Sequence, residues 1–337
     1  MSRGTEDETM AEKDKMIASR HTRYGPPEVL AVEEVCRPQS GPNEVIIRVH
    51  ASTVNRTDDG FLRAKPFIVR LFAGLIRPKF KITGSEFAGE IVKLGDDVED
   101  FKIRDAVCGF KDDDFGFGCH AQYTTMAADG MMALIPDTLT YETAAPAMEG
   151  AHYALFYIRA SKIKKGQTAF VNGGTGAIGS AAIQILKSMG VRVTATAPTA
   201  YIETVRELGA EPVIDYQKDD FTKITETFDL IFDAVGQSTY GHCKHLLNEG
   251  GVYASSELGP FAQNPFLAFW TQWFGRHKVI FQIPKNTKED AEFITGLMAS
   301  GAFKPLIDRT YDLSEIVSAF NYVHEGQKIG NVVIRIS

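Results

Sequence analysis

The segment VNGGTGAIG, residues 171–179, constrains this chain more than any other stretch. Gly174, Gly176 and Gly179 fit the spacing GxGxxG. Glycine-rich turns are common, so the spacing decides little by itself. The flanks decide more. Ala169, Phe170 and Val171 read as a strand ahead of the glycines, and Ile178, Ala181, Ala182, Ile185 and Leu186 recur at helical spacing behind them. A second strand follows about 20 residues on. In such a turn Gly174 permits the tight bend, and Gly176 lets backbone approach a pyrophosphate. Gly179 lets helix and strand pack closely. The helix start adds unpaired N–H groups and partial positive charge. Gly174, Thr175, Gly176, Ala177, Ile178 and Gly179 are therefore expected to cradle a dinucleotide. The competing reading is a structural turn with no ligand.

The surrounding pattern sets the fold class. Between 141 and 299, helices at 141–159, 177–189, 200–208 and 240–247 alternate with strands at 168–172, 191–196, 213–214, 230–233 and 251–255. This alternation predicts an α/β domain with a doubly wound parallel sheet. Earlier, short strands at 29–35, 45–49, 89–93, 106–110 and 122–126 sit between Pro and Gly clusters and predict a small β-rich domain over 16–140. After helices at 291–299 and 313–323, the last strand, 332–336, is expected to return to that domain, so that 300–337 completes it. Residues 1–15 are polar and acidic and read as a loose tail.

Composition narrows the function classes. The chain has 337 residues and a net charge of −7, which argues against a general nucleic-acid binder. No apolar run reaches the length of a membrane span. Cys36, Cys108, Cys119 and Cys243 are scattered without a CxxC pair and read as buried thiols of a cytoplasmic protein.

The second strand of the αβ domain bears on the choice of dinucleotide. NAD sites usually end that strand with an acid that binds the ribose hydroxyls. Here Thr194, Thr196, Pro198 and Thr199 occupy the region. With no acid to repel a 2′-phosphate, NADPH is favoured and NADH remains possible. Thr196 and Thr199 are candidate contacts, and Arg192, Arg206 and Lys218 are candidate phosphate partners.

Several stretches together resemble the medium-chain dehydrogenase/reductase superfamily. They are TRYGPPEVL, the signature GxExxGxIxxxGxxVxxF from Gly84 to Phe101, the cradle, VRELGAEPVIDY at 205–216 and DLIFDAVG at 229–236. The resemblance runs through nearly everything after Met16. It departs at Arg104, where the family usually has Gly. It implies a GroES-like β-barrel domain plus a Rossmann domain, with the active cleft between them. Zinc-containing members bind catalytic zinc through an early-barrel Cys, a His before the GxE signature, and a Cys or acid ahead of the cradle. This sequence has Asn55, Ser85 and, around the third place, Met148 and Glu149. Amide and hydroxyl groups are poor zinc ligands. The chain therefore looks like the zinc-free quinone oxidoreductase-like branch, with no metal expected.

Without a Lewis acid, hydride transfer suits substrates that are already electrophilic, such as quinones and α,β-unsaturated carbonyls. Asn55 resembles the Asn that quinone oxidoreductases place near the nicotinamide, or else it only caps a loop. Tyr153 is a candidate proton donor or a packing residue. Glu149 and His152 stand three apart on one helix and form either an acid–base pair or a surface ion pair. The resemblance assigns Tyr216 to the adenosine side, Ala234 and Val235 to the nicotinamide ribose, and Asn331 to the cofactor from the barrel side. The apolar stretches 67–76 and 266–274 fit a pocket wall, a membrane surface, a dimer contact or core. In the family, the stretch matching KVIFQI at 278–283 lies near a strand that often extends the sheet across a homodimer, so the resemblance implies a homodimer. An alcohol dehydrogenase or 2-enoyl thioester reductase on the same fold, and a cofactor-binding interaction protein without turnover, are the rival readings.

Overall fold

The computed structural model describes residues 15–111 and 117–336, and the expected N-terminal tail, 1–14, lies outside them. The chain divides into two compact units. The first runs to Met148 and recruits Asn286–Gly296 and the stretch from Ile307 onward; the second holds Glu149–Lys285 and Leu297–Leu306.

The first unit begins with β1 (Lys15–Arg20), β2 (Ala31–Cys36), β3 (Glu44–Val54), β4 (Glu86–Leu94), β5 (Ala106–Phe110), β6 (Tyr123–Ala127) and β7 (Met132–Leu134). Strands β1 and β2 form an antiparallel pair. In β3, Val45, Ile47 and Val49 face inward with exposed or half-buried residues between them, as a half-buried strand should. From Ala51 to Val54 every residue is buried. This is the end of β3 that leads into Asn55.

The second unit contains β8 (Thr168–Asn172), β9 (Arg192–Ala197), β10 (Val213–Asp215), β11 (Phe228–Asp233), β12 (Leu247–Ser255) and β13 (Lys278–Ile280). All are parallel, in the order β10-β9-β8-β11-β12-β13. Phe170, Ile231, Phe232 and Tyr253 are fully buried in the middle strands, which read as continuous apolar runs because both faces of the sheet are covered. The strand order reverses between β8 and β11. Ligands of such sheets bind there, beyond the carboxyl ends of the strands.

Strands β14 (Ile307–Asp312) and β15 (Asn331–Arg335) return to the first unit. The larger sheet runs β14-β15-β3-β4-β5-β7. Strand β3 pairs with β6 through its first half and with β15 through its second, while β4 pairs along its length. Two partners thus share one edge of β3, and the sheet takes its GroES-like form.

The structure departs from the sequence reading in places. The strand expected at 29–35 starts at Ala31, because Pro26 and Pro27 impose a 3-10 turn at Pro27–Val29 first. Leu247 opens β12 instead of closing a helix. Helices at Arg56–Arg63, Val69–Ala73 and Gln263–Trp270 were not anticipated, and neither was β14. Cys36 is exposed, whereas the other three cysteines are buried. Arg104, the departure from the family pattern, sits at φ 77°, in the left-handed region that favours glycine.

Candidate active site

In the second unit the cradle is built at the carboxyl end of β8. The glycine with left-handed backbone is Gly173, at φ 90°, and not Gly174. A Cβ on Gly173 would stand 2.3 Å from a Val235 methyl. Gly174 is constrained by packing instead, with Val205 at 2.9 Å and Ile183 at 3.1 Å from a built Cβ. Gly179 is the tightest: a Cβ there would lie 2.1 Å from the Gly173 carbonyl oxygen. Gly176 differs. It caps helix Ala177–Ser188, and an added Cβ meets nothing nearer than 3.5 Å. Space inside the protein therefore does not demand glycine there, and the backbone is left open to close approach. Thr175, Gly176, Ala177 and Ile178 are all half-buried along this opening. The cradle thus fits a dinucleotide pyrophosphate at a helix start.

Side chains missed in the sequence hold this loop. Asn172 Nδ2 donates to Asp233 at 3.0 Å across the switch point. The Asp233 carboxylate, fully buried, also accepts from the backbone N–H of Gly236 at 3.1 Å and Ser238 at 3.0 Å. It thereby shapes the half-buried turn that carries Ala234 and Val235. The signal was available: a polar residue closing each of two apolar strands. Thr196 plays a different part from the one expected. It is fully buried, donates to Asn172 Oδ1 at 2.8 Å and accepts the Gly173 N–H at 2.8 Å. It braces the cradle.

Thr199 is exposed and donates to Asp215 at 2.6 Å. Lys218 pairs with the same carboxylate at 3.0 Å. The Thr199 hydroxyl, with Lys218 and the Gln217 N–H, holds the Asp215 carboxyl below its usual range. An acid is thus present at this rim after all, at the end of β10, and it is already engaged. Tyr216 beside it is 53% exposed.

Helix Met148–Ser161 brings Glu149, His152 and Tyr153 to the same unit. It approaches the cradle through Gly150, where a Cβ would stand 2.8 Å from the Ala177 carbonyl oxygen. Glu149 and His152 are both buried, so a surface ion pair is ruled out. The His152 ring meets Tyr153, half-buried, edge-on at 6.2 Å.

Asn55 belongs to the first unit and is buried at the start of helix Arg56–Arg63. Its backbone N–H is accepted by Asp58 at 2.8 Å, one half of a capping box. Its side chain does more. Nδ2 donates to Glu86 Oε2 at 2.8 Å and to Thr53 Oγ1 at 3.3 Å. Oδ1 accepts from Lys328 Nζ at 3.4 Å. A carboxylate only accepts and an ammonium only donates, so this network fixes the amide orientation. Glu86, fully buried, also accepts from Thr53 at 2.6 Å and from the Met148 N–H at 3.0 Å. Asn55 therefore spends its donors on Glu86 and Thr53. The side-chain donor it faces is Lys328, a residue the sequence reading did not single out. Asn331 is buried at the start of β15, next to Val332, which pairs with Val54. Topology therefore brings Asn331 and Asn55 to the same end of the sheet. Nearby, fully buried His120 donates from Nε2 to the Thr53 carbonyl at 2.7 Å, so Nδ1 accepts the Thr83 hydroxyl, also at 2.7 Å. Burial lowers its pKa to about 4. Ser85 is fully buried.

Residues 41–137 match the alcohol dehydrogenase GroES-like domain, and residues 208–334 match the zinc-binding dehydrogenase family. Trans-enoyl reductase pgmF of Aspergillus terreus is 30% identical over 317 residues, covering 88% of this chain and 87% of the relative. The chain belongs to the medium-chain dehydrogenase/reductase superfamily, in its zinc-free quinone oxidoreductase-like branch. The chloroplastic NADPH-dependent alkenal/one oxidoreductase of Arabidopsis thaliana is 27% identical, covering 95% of this chain and 79% of the relative. The quinone oxidoreductase of Coxiella burnetii superposes with a TM-score of 0.86 at 25% identity, covering 96% of this chain and all of that one. Fold, cradle and relatives together make the protein an oxidoreductase with a nicotinamide cofactor.

Proposed function

We propose that this chain uses NADPH to reduce α,β-unsaturated carbonyl compounds or quinones, without a metal ion. The observation that carries the reading is the commitment of Asn55. At the place where zinc-containing relatives hold a metal ligand, this chain has an amide whose donors are spent on Glu86 and Thr53. Such a site suits a substrate that needs no Lewis acid.

Thr175, Gly176, Ala177 and Ile178 are the residues to hold the pyrophosphate, with Ala234 and Val235 along the nicotinamide ribose and Tyr216 at the adenosine. NADPH supplies the hydride when bound. No acid ends β9, and the one carboxylate described at the rim, Asp215, is held by Thr199 and Lys218, which supports NADPH over NADH. Lys328 is the donor proposed for the substrate oxygen, oriented by Asn55, and Asn331 stands beside them. Tyr153 is the candidate proton source in the second unit. We propose a homodimer through β13, the last strand of the parallel sheet. A light-scattering mass of two chains checks it, and a mass of one chain refutes it.

The test is NADPH and NADH consumption with a panel of quinones, enones, enoyl thioesters and simple carbonyls. Turnover of enones or quinones with NADPH preferred supports the reading. Turnover confined to enoyl thioesters would replace it with the thioester reductase.

A further inference from the structure

From Gly60 to Ser85 the chain carries Arg63, Lys65, Arg70, Arg77, Lys79 and Lys81 and no Asp or Glu, although the whole chain has a net charge of −7. The same segment holds large apolar side chains that face solvent. Phe67 is 68% exposed, Leu71 66% and Ile76 80%, and Ile68, Phe72 and Leu75 are each at least half exposed. The segment is anchored from below. Leu62 and Ala73 are buried, and the Tyr24 hydroxyl donates to the Gly74 carbonyl at 2.7 Å. The Arg70 guanidinium lies 5.0 Å over the Tyr24 ring. Its Nη1 donates to the Leu75 carbonyl at 3.3 Å. The apolar residues are therefore presented on a fixed backbone.

Exposed apolar groups on this scale mark an interaction surface. Charge narrows the partner. A second copy docked face to face would set cations against cations. An anionic bilayer satisfies both properties, accepting apolar side chains at the acyl boundary and attracting Lys and Arg at the headgroups. We propose that segment 60–85 docks the protein onto an anionic lipid surface.

The test is co-sedimentation of the full chain with vesicles of phosphatidylcholine alone, or of phosphatidylcholine and phosphatidylserine in a two-to-one ratio. The expected result is partitioning into the serine-containing vesicles only, weakening as added salt shortens the Debye length. Lys79→Gln with Lys81→Gln lowers the partition coefficient about 30-fold, from about 1 kcal/mol per cation near the surface. Leu71→Ser with Ile76→Ser lowers it as well, and both double variants keep the wild-type affinity for NADPH. No partitioning of the wild type overturns the proposal, and so does equal partitioning of the variants. Self-association that the Leu71→Ser and Ile76→Ser changes abolish, without vesicle binding, assigns the face to a second copy and also overturns it.

Discussion

The cradle after β8 is made from backbone, whereas the cluster around Asn55 is made from side chains. In the cradle, a Cβ would collide at Gly173 and Gly179 and would project into open space at Gly176. Around Asn55, a buried carboxylate, amide and hydroxyl satisfy one another, and a half-buried ammonium joins them through the amide oxygen. A backbone site fails by steric intrusion. A side-chain network fails when one partner is removed and its donors are left unsatisfied.

The largest expected effect is therefore in the network. Glu86→Ala strands the Thr53 hydroxyl, the Asn55 amide and the Met148 N–H, and should destabilise the protein by about 4 kcal/mol, at 1–3 kcal/mol for each buried group. Denaturant titration checks it, and a loss below about 1 kcal/mol would show that the cluster is not stabilising.

His120 gives the first unit a dependence on pH. Its folded pKa is about 4, lowered by burial, against an ordinary 6.5. Between these values the unfolded chain binds the proton and the folded chain does not. Stability is thus fully present above pH 6.5 and falls as pH drops towards 4, by about 3 kcal/mol in all. The His21 pKa is lowered too, also chiefly by burial, and adds in the same sense. His120→Gln should flatten the profile from urea titrations; an unchanged slope would mean that His120 is protonated in the fold.

The cradle calls for a paired experiment. Gly179→Ala forces a Cβ to 2.1 Å from backbone, so melting temperature and NADPH affinity should fall together. Gly176→Ala should lower the melting temperature only slightly, through the poorer N-cap, and weaken NADPH binding by at least about tenfold, or about 1.4 kcal/mol. Calorimetry on both variants separates the roles, and intact binding by Gly176→Ala would remove the ligand from that position.

The smallest effect lies away from both sites. Arg104→Gly relieves a left-handed residue and should stabilise the first unit by about 1 kcal/mol. Unchanged stability would mean that contacts of the Arg104 side chain compensate for the strain.

The same contrast explains what the sequence could disclose. The parallel sheet and the glycine turn were legible, because parallel strands read as apolar runs and a tight turn demands glycine. Which of two adjacent glycines takes the left-handed backbone was not legible, since VNGG offers both and only the structure shows that it is Gly173. The bracing bonds of Thr196 were not legible, because position at a strand end does not reveal that the hydroxyl reaches Asn172. Lys328 escaped notice because 273 residues separate it from Asn55, and no local pattern records a meeting made by the return of β15. Glu149 and His152 have helical spacing that suits either a surface or a core, and only burial distinguishes them.

The most direct test of the central claim is the rate of NADPH oxidation with an α,β-unsaturated ketone before and after exhaustive chelation. Metal-independent hydride transfer predicts the same rate in both samples. A rate lost on chelation and restored by zinc would contradict the metal-free reading of Asn55 and Ser85. Tight NADPH binding with no oxidation in either sample would leave a binding protein where an enzyme is claimed.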